Sequence, residues 1–182
     1  IMDKEPKGTN KSEKKTGMTH AEVIDLNAKL SKVKNLKGFE LNYAIKKNLK
    51  NLKPEIEIYS EQEKEIQEIT KDFIDETNNL KSEYATVDGK VKLKHRQDGD
   101  KTFTEYDVPA EKKKELQQKI EELRKKHKAK LDEANDKWKD LMESRKTGRT
   151  DFEIFTVKKQ NVPADISTED MELIFDLIKE DE

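Results

Sequence analysis

Two long stretches, Glu55 to Tyr84 and Ala110 to Lys146, place apolar residues at alternating steps of three and four. In the first, the apolar positions are Ile56, Tyr59, Ile66, Ile69, Phe73, Leu80 and Tyr84. In the second they are Leu116, Ile120, Leu123, His127, Leu131, Ala134, Trp138 and Leu141. This spacing draws a stripe along one face of a helix. Run antiparallel, the two stripes set Leu80 against Leu116 and Phe73 against Leu123. The expectation is a long antiparallel helical hairpin, coiled-coil-like, whose second arm reaches roughly 55 Å at the α-helical rise. Tyr59, Trp138 and Met142 could extend that seam to a second copy of the chain, which makes a homo-oligomer one expected assembly.

The other patterns predict how the arms are joined and closed. Between them, Asp88-Gly89 and Asp98-Gly99 are two-residue hairpin turn signals. A β-hairpin centred on the second opposes Val91 to Tyr106, Leu93 to Thr104, Lys92 to Glu105 and Lys90 to Asp107, and forms the tip at 85–109. Upstream, Thr19 with Glu22 forms a capping box and Met18 with Val23 a hydrophobic staple. The helix they start runs to about Lys34, with Val23, Leu26, Leu30 and Val33 on one face. Asn35 to Gly38 breaks it. A second helix follows with Tyr43, Ala44, Ile45, Leu49 and Leu52 inward, and Pro54 leaves open whether it continues into the first arm.

Past the second arm, Phe152 to Val157 reads as one short strand. Ser167, with Asp170 in the capping position, starts a last helix that is apolar around much of its girth through Leu173, Ile174, Phe175, Leu177 and Ile178. That helix must be buried. The predicted fold is therefore mainly α: residues 18–182 form a single elongated domain, in which 18–54 and 147–182 make a compact helical base with one strand, 55–84 and 110–146 the arms, and 85–109 the β tip. Residues 1–17 are almost wholly polar and read as a flexible tail.

Composition agrees with a seam rather than a spherical core, since 31% of residues are hydrophobic and 43% charged. Net charge is only −2, but it is arranged in blocks. Residues 55–83 carry ten acidic and three basic side chains, and residues 112–130 carry nine basic and three acidic ones, so the arms attract. Residues 29–53 hold eight basic and one acidic residue, and residues 160–182 reverse this with eight acidic and one basic. The absence of cysteine excludes disulfides and thiolate metal sites. No run approaches the roughly 20 apolar residues that span a bilayer, so no membrane association is expected.

No catalytic, cofactor or metal constellation stands out. His20, His95 and His127 are too far apart for a metal-ligand spacing. The carboxylates are abundant without a context that would raise a pKa, and the glycines are scattered as single turn residues. A non-enzymatic protein is expected. The sharpest surface feature is the alternating run Lys90, Lys92, Lys94 and Arg96 with His95 beside it, and with Phe103 and Tyr106 available to stack on a base. These seven residues form the candidate interaction surface. Glu105 and Asp107 opposite two of the lysines offer local charge pairing as the simpler account.

In layout, the chain resembles a group of small proteins encoded by tailed phages and prophages, mostly of unknown function. The matching residues are Leu36, Lys37, Gly38, Phe39, Leu41, Tyr43, Ala44, Ile45, Lys47 and Asn48 before the first arm, and Glu83, Tyr84 and Ala85 at its end. They continue with Tyr106 to Val108, Leu123 to His127, and Val162, Pro163, Asp165, Ile166, Ser167, Met171 and Ile174. The resemblance implies a phage origin and a fold, and supplies no activity. On it rests the expectation of a protein that binds a host factor or a phage structural protein in the cytoplasm of the infected bacterium. The alternative is nucleic-acid binding through the basic tip strand and second arm.

Overall fold

A computed structural model describes residues 17–33 and 36–180. The protein is mainly helical, with six α-helices among the described residues: α1 (His20–Lys32), α2 (Phe39–Ile69), α3 (Lys71–Tyr84), α4 (Lys113–Lys126), α5 (Lys128–Thr147) and α6 (Thr168–Ile174). Three small two-stranded sheets accompany them. The chain forms two compact units, 1–56 with 143–182, and 57–142. The tail expected at 1–17 lies outside the described residues except for Gly17, as do Lys34 and Asn35.

Unit 1 begins with the capping box as expected. Thr19 Oγ1 accepts from the Glu22 N–H at 3.1 Å, and Glu22 Oε2 accepts from the Thr19 N–H at 2.8 Å. This turn is tied to the segment after α5. The His20 N–H donates to Gly148 O at 3.1 Å and the Thr150 N–H to Met18 O at 2.7 Å. Gly17 sits there at φ +94°, and a Cβ would lie 2.2 Å from the Thr150 carbonyl oxygen, so only glycine fits. α1 ends at Lys32. α2 then runs through Pro54 without a break, so the second helix and the start of the first arm are one helix. Proline withholds one helical donor, that for the Lys50 carbonyl.

The core of unit 1 is Val23, Leu26 and Leu30 from α1, Leu41, Ala44 and Leu52 from α2, with Val157, Ile174 and Leu177 from the far end of the chain, all buried. Two expectations are corrected here. Of Phe152 to Val157, only Val157 joins a sheet: β5 (Val157–Lys158) pairs in parallel with β6 (Ile178–Lys179). The stretch before it bonds instead to a side chain, that of Asn48. The last helix is shorter than its apolar run, because after Ser167 Oγ caps it at the Asp170 N–H (3.0 Å) it tightens to a 3₁₀ turn at Phe175–Leu177 and enters β6. Burial of Leu177 and pairing of Ile178 outweigh helix propensity over these few residues.

In unit 2, α3 and α4 pack together with chain numbers running in opposite directions. Tyr84 contacts Glu115, Phe73 contacts Arg124 and His127, and Asp72 contacts Lys130. Tyr59, Ile66, Leu116, Ile120 and Ala134 are buried in this unit, Trp138 is half-buried, and Met142 is exposed. Each strand of the helical pattern is interrupted by one residue with ψ near zero, Thr70 (8°) and His127 (12°).

The tip carries two successive hairpins rather than one. β1 (Thr86–Val87) pairs with β2 (Lys90–Val91) around Asp88-Gly89, both at positive φ (51° and 73°), as a type I′ turn requires. β3 (Leu93–Asp98) pairs with β4 (Lys101–Tyr106) around Gly99-Asp100. The register therefore differs from expectation: Leu93 opposes Tyr106 and Lys94 opposes Glu105, while Val91 pairs with Thr86. The reason lies in Gly99. It alone of the two loop residues has positive φ (59°), so it takes the first central position, where a type II′ turn wants glycine. Asp98 is thus the last strand residue.

Candidate interaction surfaces

At the tip, the strand changes partner at Lys92. Its N–H donates to Ala85 O at 2.9 Å, and its carbonyl accepts from the Asp107 N–H at 2.8 Å. Lys90 therefore sits in the first hairpin opposite Val87, and Lys94 and Arg96 in the second. The expected pairs of Lys92 with Glu105 and Lys90 with Asp107 are replaced by an Arg96 to Glu105 ion pair at 3.1 Å. Arg96 also lies over the Phe103 ring, 5.3 Å from its centroid.

Directly opposed residues share a face of a sheet. Lys94 and Arg96 therefore share one with Glu105 and Phe103, and Leu93 and His95 share the other with Tyr106 and Thr104. His95 Nδ1 lies 3.0 Å from Thr104 Oγ1. Tyr106 is half-buried, in the lining of a hollow of about 490 Å³ that it shares with Leu116 and Ile120. The seven candidate residues are thus divided between two hairpins and two faces, with Arg96 already paired.

The basic second arm is partly neutralised in the same way. Lys126 Nζ donates to both Glu76 oxygens at 3.1 and 3.2 Å, His127 Nε2 lies 3.2 Å from Glu76 Oε1, and Lys130 reaches Asp72 at 3.8 Å. The Lys126 hydrogen bonds, and after them that of His127, hold the Glu76 carboxyl below its ordinary range. At the other end of the helix pair, the Tyr84 O–H donates to Glu115 Oε1 at 2.7 Å, which pushes the phenol up to about 12. An alkaline absorbance titration is expected to show one tyrosine ionising about two units above the ordinary phenol near 10, and Glu115→Gln to bring it down. A titration unchanged by Glu115→Gln would exclude this pairing in solution.

Among the described residues, no group of three or more His, Asp or Glu is arranged to hold a metal ion, and no helix is long and apolar enough to cross a membrane.

Unit 1 exposes two surfaces that periodicity did not single out. The first surrounds Phe175, which is 65% exposed. Two adjoining hollows of about 580 and 660 Å³ share Ala164, Ile166, Met171, Phe175 and Asp176. Glu172 lines one hollow and Glu180 the other. Asp176 meets Lys29 at 3.7 Å, and Lys29 bonds more closely to Asp25 at 2.8 Å. The cause is the shortened α6: with Leu177 turned into the core, its neighbour Phe175 faces outward.

The second surface is on α2. Phe39 is 80% and Tyr43 47% exposed, which corrects the inward placement of Tyr43. Their rings stack at 6.1 Å, and Phe155 meets Tyr43 edge-on at 5.5 Å. The sequence carries one signal of this face: Phe39, Tyr43 and Lys47 recur at steps of four, on one side of a helix. No family model, curated protein or solved structure matches the chain.

Proposed function

We propose that the protein is a non-enzymatic, phage-encoded binding protein that docks a partner protein, either a host factor during infection or a component of the assembling virion. The observation that carries the docking reading is the exposed Phe175 between two adjoining hollows, whose rim sets Glu172, Asp176 and Glu180 against Lys29 and Lys159. Exposed aromatic side chains beside concave apolar surface are the usual anchors of protein interfaces. With Asp176 already meeting Lys29, the carboxylates of Glu172 and Glu180 favour a partner segment that presents an apolar side chain flanked by lysine or arginine. The phage origin rests on the layout resemblance, and with it goes action in the cytoplasm of the infected bacterium. Within unit 2 we read 57–84 and 110–142 as the arms of a coiled-coil-like antiparallel hairpin, supported by the contacts of Tyr84, Phe73 and Asp72 with α4 and α5.

The test is affinity capture from infected and uninfected bacteria, with and without nuclease, using the wild-type chain and Phe175→Glu. Phe175 is mostly exposed, so the variant should fold. A specific protein retained by the wild type in both nuclease conditions and lost by Phe175→Glu is expected. The reading is overturned if every protein captured survives Phe175→Glu or disappears with nuclease.

A further inference from the structure

The α2 face carries charge of the opposite sign to the Phe175 groove. A hollow of about 420 Å³ is lined by Phe39, Asn42, Tyr43, Lys46, Lys47 and Lys50, with no acidic side chain in its wall. Glu40 lines a different hollow, which Phe39 and Tyr43 share with Phe155. Among the described residues, Lys46, Lys47 and Lys50 have no ion-pair partner, whereas Arg96, Lys126 and Lys130 all meet carboxylates. Lys46 and Lys50 are one helical turn apart, about 6 Å along the axis. The rings of Phe39 and Tyr43 lie only 24° from parallel. Three uncompensated ammonium groups therefore stand beside a two-ring aromatic platform on a single helix face.

We propose that this face binds single-stranded nucleic acid, with phosphates on Lys46, Lys47 and Lys50 and bases stacked on Phe39 and Tyr43. The ligand must offer anions and flat apolar faces together. A duplex presents phosphates but hides its base faces within the stack. An acidic peptide satisfies the lysines but leaves a ring as exposed as Phe39 uncovered, and lysine is depleted from the buried centres of protein interfaces. A single strand supplies both at once, since every base has a π-face. With a net charge of −2, the attraction acts locally, over about one Debye length of 8 to 10 Å. The site shares no residue with the Phe175 groove, so the two readings stand or fall separately.

The test is fluorescence anisotropy on the full chain, with a labelled 20-mer of thymidylate, an abasic 20-mer of equal charge, and poly-glutamate as competitor. Three phosphate contacts give a log–log salt slope of about −2. Phe39→Ala is expected to weaken thymidylate binding about 5- to 150-fold, the range that stacking one base spans, while abasic binding is unchanged. The triple change K46E/K47E/K50E should remove both, and Phe175→Glu should alter neither. Circular dichroism confirms that each variant is folded. The proposal is overturned by any of four results: no thymidylate binding at low salt; equal binding of thymidylate and the abasic strand; poly-glutamate competing as well as thymidylate, which would point to an acidic protein segment; or loss with K92E/K94E/R96E but not with the α2 changes, which would return the site to the tip.

Discussion

Asn48→Ala is expected to destabilise unit 1 by about 2–4 kcal/mol, a large effect for one polar side chain. Asn48 is fully buried on α2. Its Oδ1 accepts from the Phe155 N–H at 2.8 Å, and its Nδ2 donates to the carbonyls of Phe155 and Ala44, both at 2.9 Å. Residue 155 has no strand beside it, so this one amide occupies the place of a neighbouring strand, serving donor and acceptor of the same residue. Alanine would leave both groups of Phe155 part-buried and unpaired, which is the costly way to lose a hydrogen bond. Asn48→Asp separates the two roles. It keeps the acceptor and loses the donor, and sets a carboxylate against two carbonyl oxygens at neutral pH. Protonation restores an O–H, so the aspartate variant should recover stability, relative to wild type, as pH falls through its raised pKa. Urea unfolding at pH 4 and 7 checks both variants, and Asn48→Ala within about 0.5 kcal/mol of wild type would contradict the assignment.

Leu177→Ala is expected to cost about 3–4 kcal/mol, within the range for emptying a fully enclosed leucine site. Two positions earlier in the same 3₁₀ turn, Phe175→Ala should shift stability by no more than about 0.5 kcal/mol, although it removes more carbon, because that ring is 65% exposed. The contrast is a test of which way the turn faces. Urea midpoints for the two variants decide it, and a reversed order would mean that the helix continues past Ile174 with Phe175 inside.

The elements that could be read from the sequence are those set by local chemistry. Thr19 and Ser167 cap their helices through bonds to groups three residues away, so the signal and its cause lie in the same short window. Phe73 and His127, one from each apolar stripe, do meet, with ring centroids 5.9 Å apart, because a helix period fixes its face. Misreadings begin where a distant partner decides. Asp98-Gly99 is a sound turn signal, but whether glycine takes the first or second central position shifts every cross-strand pair, and that depends on the pairing further along. Asn48 looks like a polar residue among apolar ones, and nothing near it in sequence announces a partner 107 positions away. Phe39, Tyr43 and Phe175 stay exposed because hydrophobicity marks what can be buried, not what finds a partner. Of the candidate surface, the charges were visible, and their neutralisation by Glu105, Glu76 and Asp72 was only partly so.

The way unit 1 is assembled has a consequence for synthesis on the ribosome. Its two portions, 1–56 and 143–182, are separated by the whole of unit 2, and Asn48 waits for Phe155 and α1 for Ile174 and Leu177. As the chain emerges, Val23, Leu26, Leu41 and Leu52 have no lid until residues past 143 follow, while pairs within unit 2, such as Glu76 and His127 at 51 positions apart, close earlier. The groove around Phe175 therefore forms only after unit 2 has been made, and a chain truncated before it exposes an open core. Completion of unit 1 thus waits on its later portion, and a prematurely terminated copy, with its core uncovered, is open to proteolysis.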